Sequence, residues 1–431
     1  MSEDTGTMSS EESVDYVVPP ERALQTVPGK IPARVLWLSL GAIGVGLAAF
    51  FLAGSEKRAW QATWSNFLFW TALSQAGVIF GAGLQAAKGH WGKGFRRIAE
   101  AAAAFLPASL VIFFLLWFGA DQILPWIQDQ GAHVNRTWLQ KGDLFVRNGA
   151  LLLVLYGLSF WFLKTSLRPD AELLVDELDG WRRSLVKWIS SGWRGAEEEV
   201  ERSRNLLGKL SPALILLWAA IFSLLSYDLA MSLMPGFLSF IWGPYYFIGG
   251  WLCMLALVAI MANRYHWEYG LSDQWDRWQF HDLGKLLFAF TIFWAYLWWS
   301  QFLVIWYGNI PYETVFFEQR TTGGFGPLYT LQMILIFGLP FVLLLFRKPK
   351  MNPGYLAFVS VLTLGGFWLE RFLLVAPSTW QGTGVPIGWT EVGITVGFLG
   401  VFSLCFALYS STFPKVPIRE TLIEGTASTG P

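Results

Sequence analysis

A chain of 431 residues with 54% hydrophobic and only 14% charged side chains carries too little charge to cover a soluble protein of that length. A mean hydropathy of +0.43 and 25 Trp, whose indole prefers the bilayer interface, indicate an all-α polytopic membrane protein. Basic and acidic side chains balance at 31 each, so nothing in the net charge suggests nucleic-acid binding.

In chain order, residues 1–34 open acidic and Ser-rich, without the apolar core of a signal peptide, and read as a polar tail. Runs near the roughly 20 apolar residues needed to cross hydrocarbon follow at 35–54, 63–86, 98–119, 147–166, 211–233, 239–262, 283–308, 328–347, 354–375 and 390–410. A backbone facing lipid must satisfy its own hydrogen bonds, so all ten are expected to be helices within a membrane domain spanning 35–413. The connection 167–210 contains Leu178, Trp181, Leu185 and Trp188 at helical spacing beside Arg182, Arg183 and Lys187, as in a helix lying on the inner leaflet. Residues 414–431 read as a second tail.

Most of the 31 Lys and Arg fall on the side that holds both termini. The other side holds Lys57, Arg58, Arg136, Lys141, Arg147 and Arg320, so both termini are expected in the cytoplasm. Outer loops rich in aromatics (Tyr312, Phe316, Phe317, Trp380 and Trp389) are expected to expose a docking face for a partner subunit. The four His, at 90, 133, 266 and 281, lie in loops or at helix ends, and Cys253 and Cys405 each stand alone in a span. That distribution fits neither axial ligation of a membrane haem nor an iron–sulfur cluster, so no cofactor or metal is expected in this chain.

Ionisable groups within a span are costly and therefore informative. They are Asp228, next to Tyr227 in the fifth span, and Glu370 with Arg371 in the ninth. Asp228 and Arg371 lie about 26 Å along their helices, at matched depth. Glu370 leaves the ninth helix about 100° away from Arg371, so Asp228 is the expected partner of Arg371. Such a pair is either structural or proton-handling. Weaker polar groups are Ser74 and Gln75 in the second span, Ser300 and Gln301 in the seventh, and Gln332 in the eighth. At the cytoplasmic mouths stand Arg97 and Glu100, then His281, Asp282 and Lys285, as interface anchors or proton entry points.

The segments "SYDLAMSLMPGFLSFIWGPYYFIGG", "HDLGKLLFAFTIFWAYLWWSQFLVIWYGNIPYET", "GLPFVLLLFRKPKMNP" and "FWLERFLLVAP" carry a resemblance, with support from "NFLFWTALSQAGVIFGAG" and "GHWGKGFRRIAEA". Over roughly residues 60–380 the chain resembles the ActF family, the second NrfD-like membrane subunit of bacterial alternative complex III. The resemblance implies a quinol:electron-acceptor oxidoreductase of the bacterial inner membrane. It also implies two four-helix bundles, helices 2–5 and 6–9, flanked by helices 1 and 10. Implied partners are an NrfD-like sister subunit, periplasmic multihaem cytochrome c and iron–sulfur subunits, small membrane subunits, lipid and quinone. Haem c and iron–sulfur clusters would then reside in those partners.

One departure bears on mechanism. The sister subunit has a His in an H-A-G motif where this chain has Gln75-Ala76-Gly77. An amide cannot accept the proton of an oxidised quinol, so that reaction is expected mainly in the sister subunit. The role left is assembly and proton translocation, with a pure scaffold or a secondary transporter as alternatives.

Overall fold

The computed structural model describes residues 26–27, 30–128, 137–269, 275–380, 382 and 384–420. Ten helices among them are long and apolar enough to cross a membrane: α1 (Ala33–Phe51), α2 (Glu56–Ala86), α3 (His90–Ile123), α4 (Lys141–Leu174), α5 (Ala196–Leu233), α6 (Trp242–Glu268), α7 (Arg277–Gly308), α8 (Gly323–Leu343), α9 (Pro353–Thr379) and α10 (Trp389–Ser410). The protein is thus an all-α, multi-span membrane protein. With ten helices running up and down, Ala33 and Ser410 lie at the same end of the stack, called here the terminal side.

Helices α2–α5 close one four-membered ring and α6–α9 a second, joined where α2 and α5 meet α6 and where α2 meets α9. This is the expected pair of bundles, and α1 and α10 pack together along its flank. Helix α2 is apolar nearly all round and buried almost throughout, as befits the helix shared by both bundles and the α1–α10 pair. Glycines set the closest approach. A Cβ on Gly46 would lie 2.4 Å from Gly397 Cα, and one on Gly393 would lie 2.4 Å from Ala49 Cβ. Without a hydrophobic force between helices in lipid, such small-residue contacts hold the pair by van der Waals packing. Gly397→Leu is therefore expected to destabilise the protein by about 1–3 kcal/mol, read as a lower thermal midpoint in detergent. Gly41→Leu, into open space on the same helix pair, should leave that midpoint unchanged.

Several helices outrun their apolar runs, because polar turns remain helical where their charges find partners. Residues 167–174 continue α4, and the mixed-charge run from Glu197 to Arg204 is the start of α5. The connection between them is thus shorter than 167–210. Its helix, Gly180–Ile189, buries Val186 and Ile189, with Leu178 just before it, against Leu167, Leu174 and Phe413. Trp181 and Trp188 stay exposed, and Lys164 Nζ sits 3.8 Å over the Trp188 ring.

Residues 411–420 do not form a free tail. Phe413, Val416 and Ile418 are buried, Asp170 Oδ1 accepts the backbone N–H of Ile418 (3.2 Å) and Arg419 (3.0 Å), and Arg96 Nη2 lies 2.6 Å from Glu420. The Lys415 N–H donates to the Thr26 hydroxyl at 3.1 Å, tying the two terminal segments together. Residues 1–25, 28–29 and 421–431 of the expected tails lie outside the described residues.

Lys415 is buried in this strap. Its ammonium donates to the Ser410 carbonyl, and desolvation, only partly offset by Glu268, pushes its pKa down to about 7. An undocked strap would keep Lys415 protonated up to its ordinary value of 10.5. The undocked form thus binds more protons between these values, so docking should strengthen as pH rises from about 7 towards 10 and be weakest below 7. Limited proteolysis at residues 411–420 should slow over that range, and Lys415→Met should abolish the dependence.

Candidate functional site

Glu370 and Arg371 are buried on α9 within the second bundle. Arg371 Nη1 stands 2.6 Å from Glu370 Oε2, its Nη2 donates to the Tyr246 carbonyl at 2.9 Å, and its guanidinium lies 4.1 Å from the Tyr246 ring centre. The expected Asp228–Arg371 pair does not form. Backbone angle separates neighbouring helical residues by about 100°, but two long side chains can curl back to meet, and here they do. The matched depth also fails when measured from the helix ends opposite the terminal side. Asp228 closes the α-helical turn that ends at Leu229, whereas Arg371 precedes the α9 terminus at Thr379 by about 12 Å.

Glu370 is flanked by Arg371 at 2.6 Å and by the Tyr245 hydroxyl, its hydrogen-bonding neighbour on α6. That carboxylate faces a small cavity lined by Tyr245 of α6, Gln301 of α7, Tyr329 and Gln332 of α8, and Arg320. The space amounts to about one water molecule. Gln301 accepts from Ser239 Oγ at 2.8 Å, and Tyr329 Oη accepts from Trp298 Nε1 at 2.8 Å. Gln332 lies two residues before a π-turn, Ile334–Gly338, that interrupts α8 ahead of Pro340. Such bulges free backbone groups and widen a helix at functional positions.

Arg320 is the residue sequence reasoning missed. Counted as an outer-loop cation, it is 1% exposed. It donates to the carbonyls of Phe316 (2.8 Å), Leu373 (2.9 Å) and Leu374 (3.1 Å) and to Ser378 Oγ (2.9 Å). Its guanidinium sits 3.5 Å over the Phe316 ring. The available signal was the spacing of Phe316, Phe317 and Arg320 along a helix opened by Pro311 and ended before Gly323-Gly324. Phe316 and Phe317 consequently point inward, Phe316 stacking on Phe237 at 4.0 Å. They are not part of an exposed docking face; Tyr312 and Trp389 are exposed, and Trp380 is half-buried.

The first bundle holds its polar groups in separate layers. At the end opposite the terminal side Asp228 accepts from Trp138 Nε1 (3.0 Å), Asn148 Nδ2 (2.7 Å) and Arg147 Nη2 (2.6 Å). The apolar run begins at Arg147, which by sequence places it in a loop, yet α4 starts at Lys141 and carries it to Asp228. Tyr227 points elsewhere, donating to the Phe240 carbonyl at 3.1 Å. In the middle, Gln75 Nε2 donates to Ser159 Oγ at 2.9 Å, while Gln75 Oε1 and Ser74 Oγ are buried without a partner among the described residues.

At the terminal side, Arg97 bridges Glu100 (2.8 Å) and Asp170 (2.6 Å), and Glu100 also accepts from Ser166 (2.5 Å) and Tyr409 (3.2 Å). Gly77 lets α3 close against α2, since a Cβ there would lie 2.3 Å from the Ala99 carbonyl oxygen. His281, Asp282 and Lys285 form a separate group at the start of α7, with Lys285 Nζ 2.6 Å and His281 Nδ1 3.8 Å from Asp282. The structure therefore brings Glu370, Arg371 and Gln301 to one place and Arg97 and Glu100 to another. It leaves Asp228, Gln75 and the His281 group apart.

No family model and no curated protein matches the chain. Among the described residues no three His, Cys, Asp or Glu are grouped to hold a metal ion, and His133 lies outside them. Cys253 and Cys405 are both free thiols.

Proposed function

We propose that this chain is an ActF-type, NrfD-like membrane subunit of a bacterial alternative complex III, working without a cofactor of its own. On this reading it lies in the cytoplasmic membrane with both termini inside. It assembles with an NrfD-like sister subunit and periplasmic multihaem and iron–sulfur subunits. Quinol oxidation takes place mainly in the sister subunit, and this chain contributes assembly and proton translocation. The supporting observation is Glu370: a buried carboxylate held between Arg371 and the Tyr245 hydroxyl and facing room for about one water. A carboxylate so placed can take up and release a proton, while a quinone headgroup is far larger than the space beside it. Gln75 lacks a basic atom for quinol chemistry.

A scaffold role has one observation in its favour, the complete pairing of Asp228 at the outer end of the first bundle. Purification from native membranes tests the assignment. Subunits with c-type haem and iron–sulfur clusters should co-purify, and this chain, freed of them, should be colourless. A stoichiometric Soret band in the isolated chain would overturn the reading.

A further inference from the structure

Glu370 has two guanidiniums for neighbours. Arg371 is ion-paired with it at 2.6 Å, and Arg320 lines the same small cavity. Arg320 itself makes no ion pair among the described residues: its donations go to the carbonyls of Phe316, Leu373 and Leu374 and to the Ser378 hydroxyl, all uncharged. What draws a cation there is a gap in α9. Pro377 has no N–H to give the Leu373 carbonyl one turn earlier, and Arg320 Nε supplies the missing bond at 2.9 Å. Leu373 and Leu374 follow Glu370 by one turn, about 5 Å along the axis, towards the end of α9 opposite the terminal side. Arg320 therefore stands between Glu370 and that face. Phe316, 3.5 Å from the guanidinium, and Phe317 line the cavity beside it.

We propose that Arg320 is the electrostatic seal of the Glu370 site, keeping protons from the face opposite the terminal side out of it in the resting chain. The inference rests on the proton-handling role given to Glu370 above. A site open to both faces at once leaks the gradient it is meant to build, so one side has to be closed while the other exchanges. A guanidinium closes it by charge alone. Arg320 cannot lose its proton, Glu370 is already balanced by Arg371, and a cavity of about one water screens little. Fixed arginines exclude protons and cations from membrane pores in the same way.

The test places the full chain in liposomes that hold a pH-sensitive dye, with the potential clamped by potassium and valinomycin, and follows proton entry after an external acid pulse. Parent proteoliposomes should be as tight as empty ones. Arg320→Gln, which keeps hydrogen-bond donors and drops the charge, should admit protons about tenfold faster. Arg320→Lys, which keeps the charge and loses the fork, should stay tight. Adding Glu370→Gln/Arg371→Met to Arg320→Gln should close the leak, because the protons enter through Glu370. An Arg320→Gln chain as tight as the parent, or an Arg320→Lys chain as leaky as Arg320→Gln, would overturn the seal and leave proton handling at Glu370 standing. A leak that persists without Glu370 would contradict that handling and the seal with it. If Arg320→Gln does not fold, Ser378→Asp is read in the same assay. It sets a carboxylate where Arg320 Nη2 now meets a hydroxyl at 2.9 Å, cancelling the charge without removing the side chain. The same leak is expected, and a tight Ser378→Asp chain would overturn the seal.

Discussion

Glu370→Gln alone is expected to destabilise the protein by about 3–5 kcal/mol, more than Arg371→Met alone, and the double replacement is expected to cost least. The order follows from what each change leaves behind. Without Glu370, Arg371 remains buried with only the Tyr246 carbonyl and ring to face its charge. A guanidinium cannot escape by losing its proton. Without Arg371, Glu370 can become neutral by binding a proton, so the cost is limited to that protonation. Removing both charges leaves an uncharged, similarly sized pair, and such replacements are often neutral. Thermal or denaturant unfolding of the four proteins in one detergent gives the double-mutant cycle. A double variant that loses as much as the two single variants together would mean that the two charges are not balanced by each other.

Asp228→Ala is expected to cost about 2–3 kcal/mol, and Asp228→Asn less. The carboxylate accepts from three side chains at once, and buried Asn148 would keep only the Leu144 carbonyl as an acceptor. Arg147 retains partial access to solvent and can rehydrate, which keeps the loss below that of the fully enclosed Glu370. An Asp228→Ala protein as stable as the parent would show that this cluster is not a structural clamp.

The ten spans were legible because length and unbroken apolar character, more than periodicity, define a membrane helix. Helix α7 shows the same clarity at finer scale. Its outward face carries Tyr296, Trp299, Trp306 and Tyr307, while Trp294 and Gln301 turn inward, so an aromatic run that looked excessive serves two environments. The partners of the buried charges were not legible. Arg371 meets its own neighbour because of side-chain reach, which helical angles do not fix. Arg147 looked like a loop residue because an apolar run stops at the first charge, whereas the helix continues wherever that charge is met from another element. Arg320 is buried by a short helix folding back over the bundle, an arrangement that depends on Phe237, Trp242 and the α9 carbonyls far away in sequence. Residues 411–420 likewise read as polar chain until Asp170 and Arg96 are placed beneath them.

In the function proposed above, Glu370 is the proton-handling group of a cofactor-free subunit. The most direct measurement is the number of protons translocated per electron by the assembled complex in proteoliposomes carrying Glu370→Gln/Arg371→Met, the variant expected to keep the fold. A lowered ratio with quinol oxidation still running is the predicted result. An unchanged ratio in a fully assembled complex would contradict it.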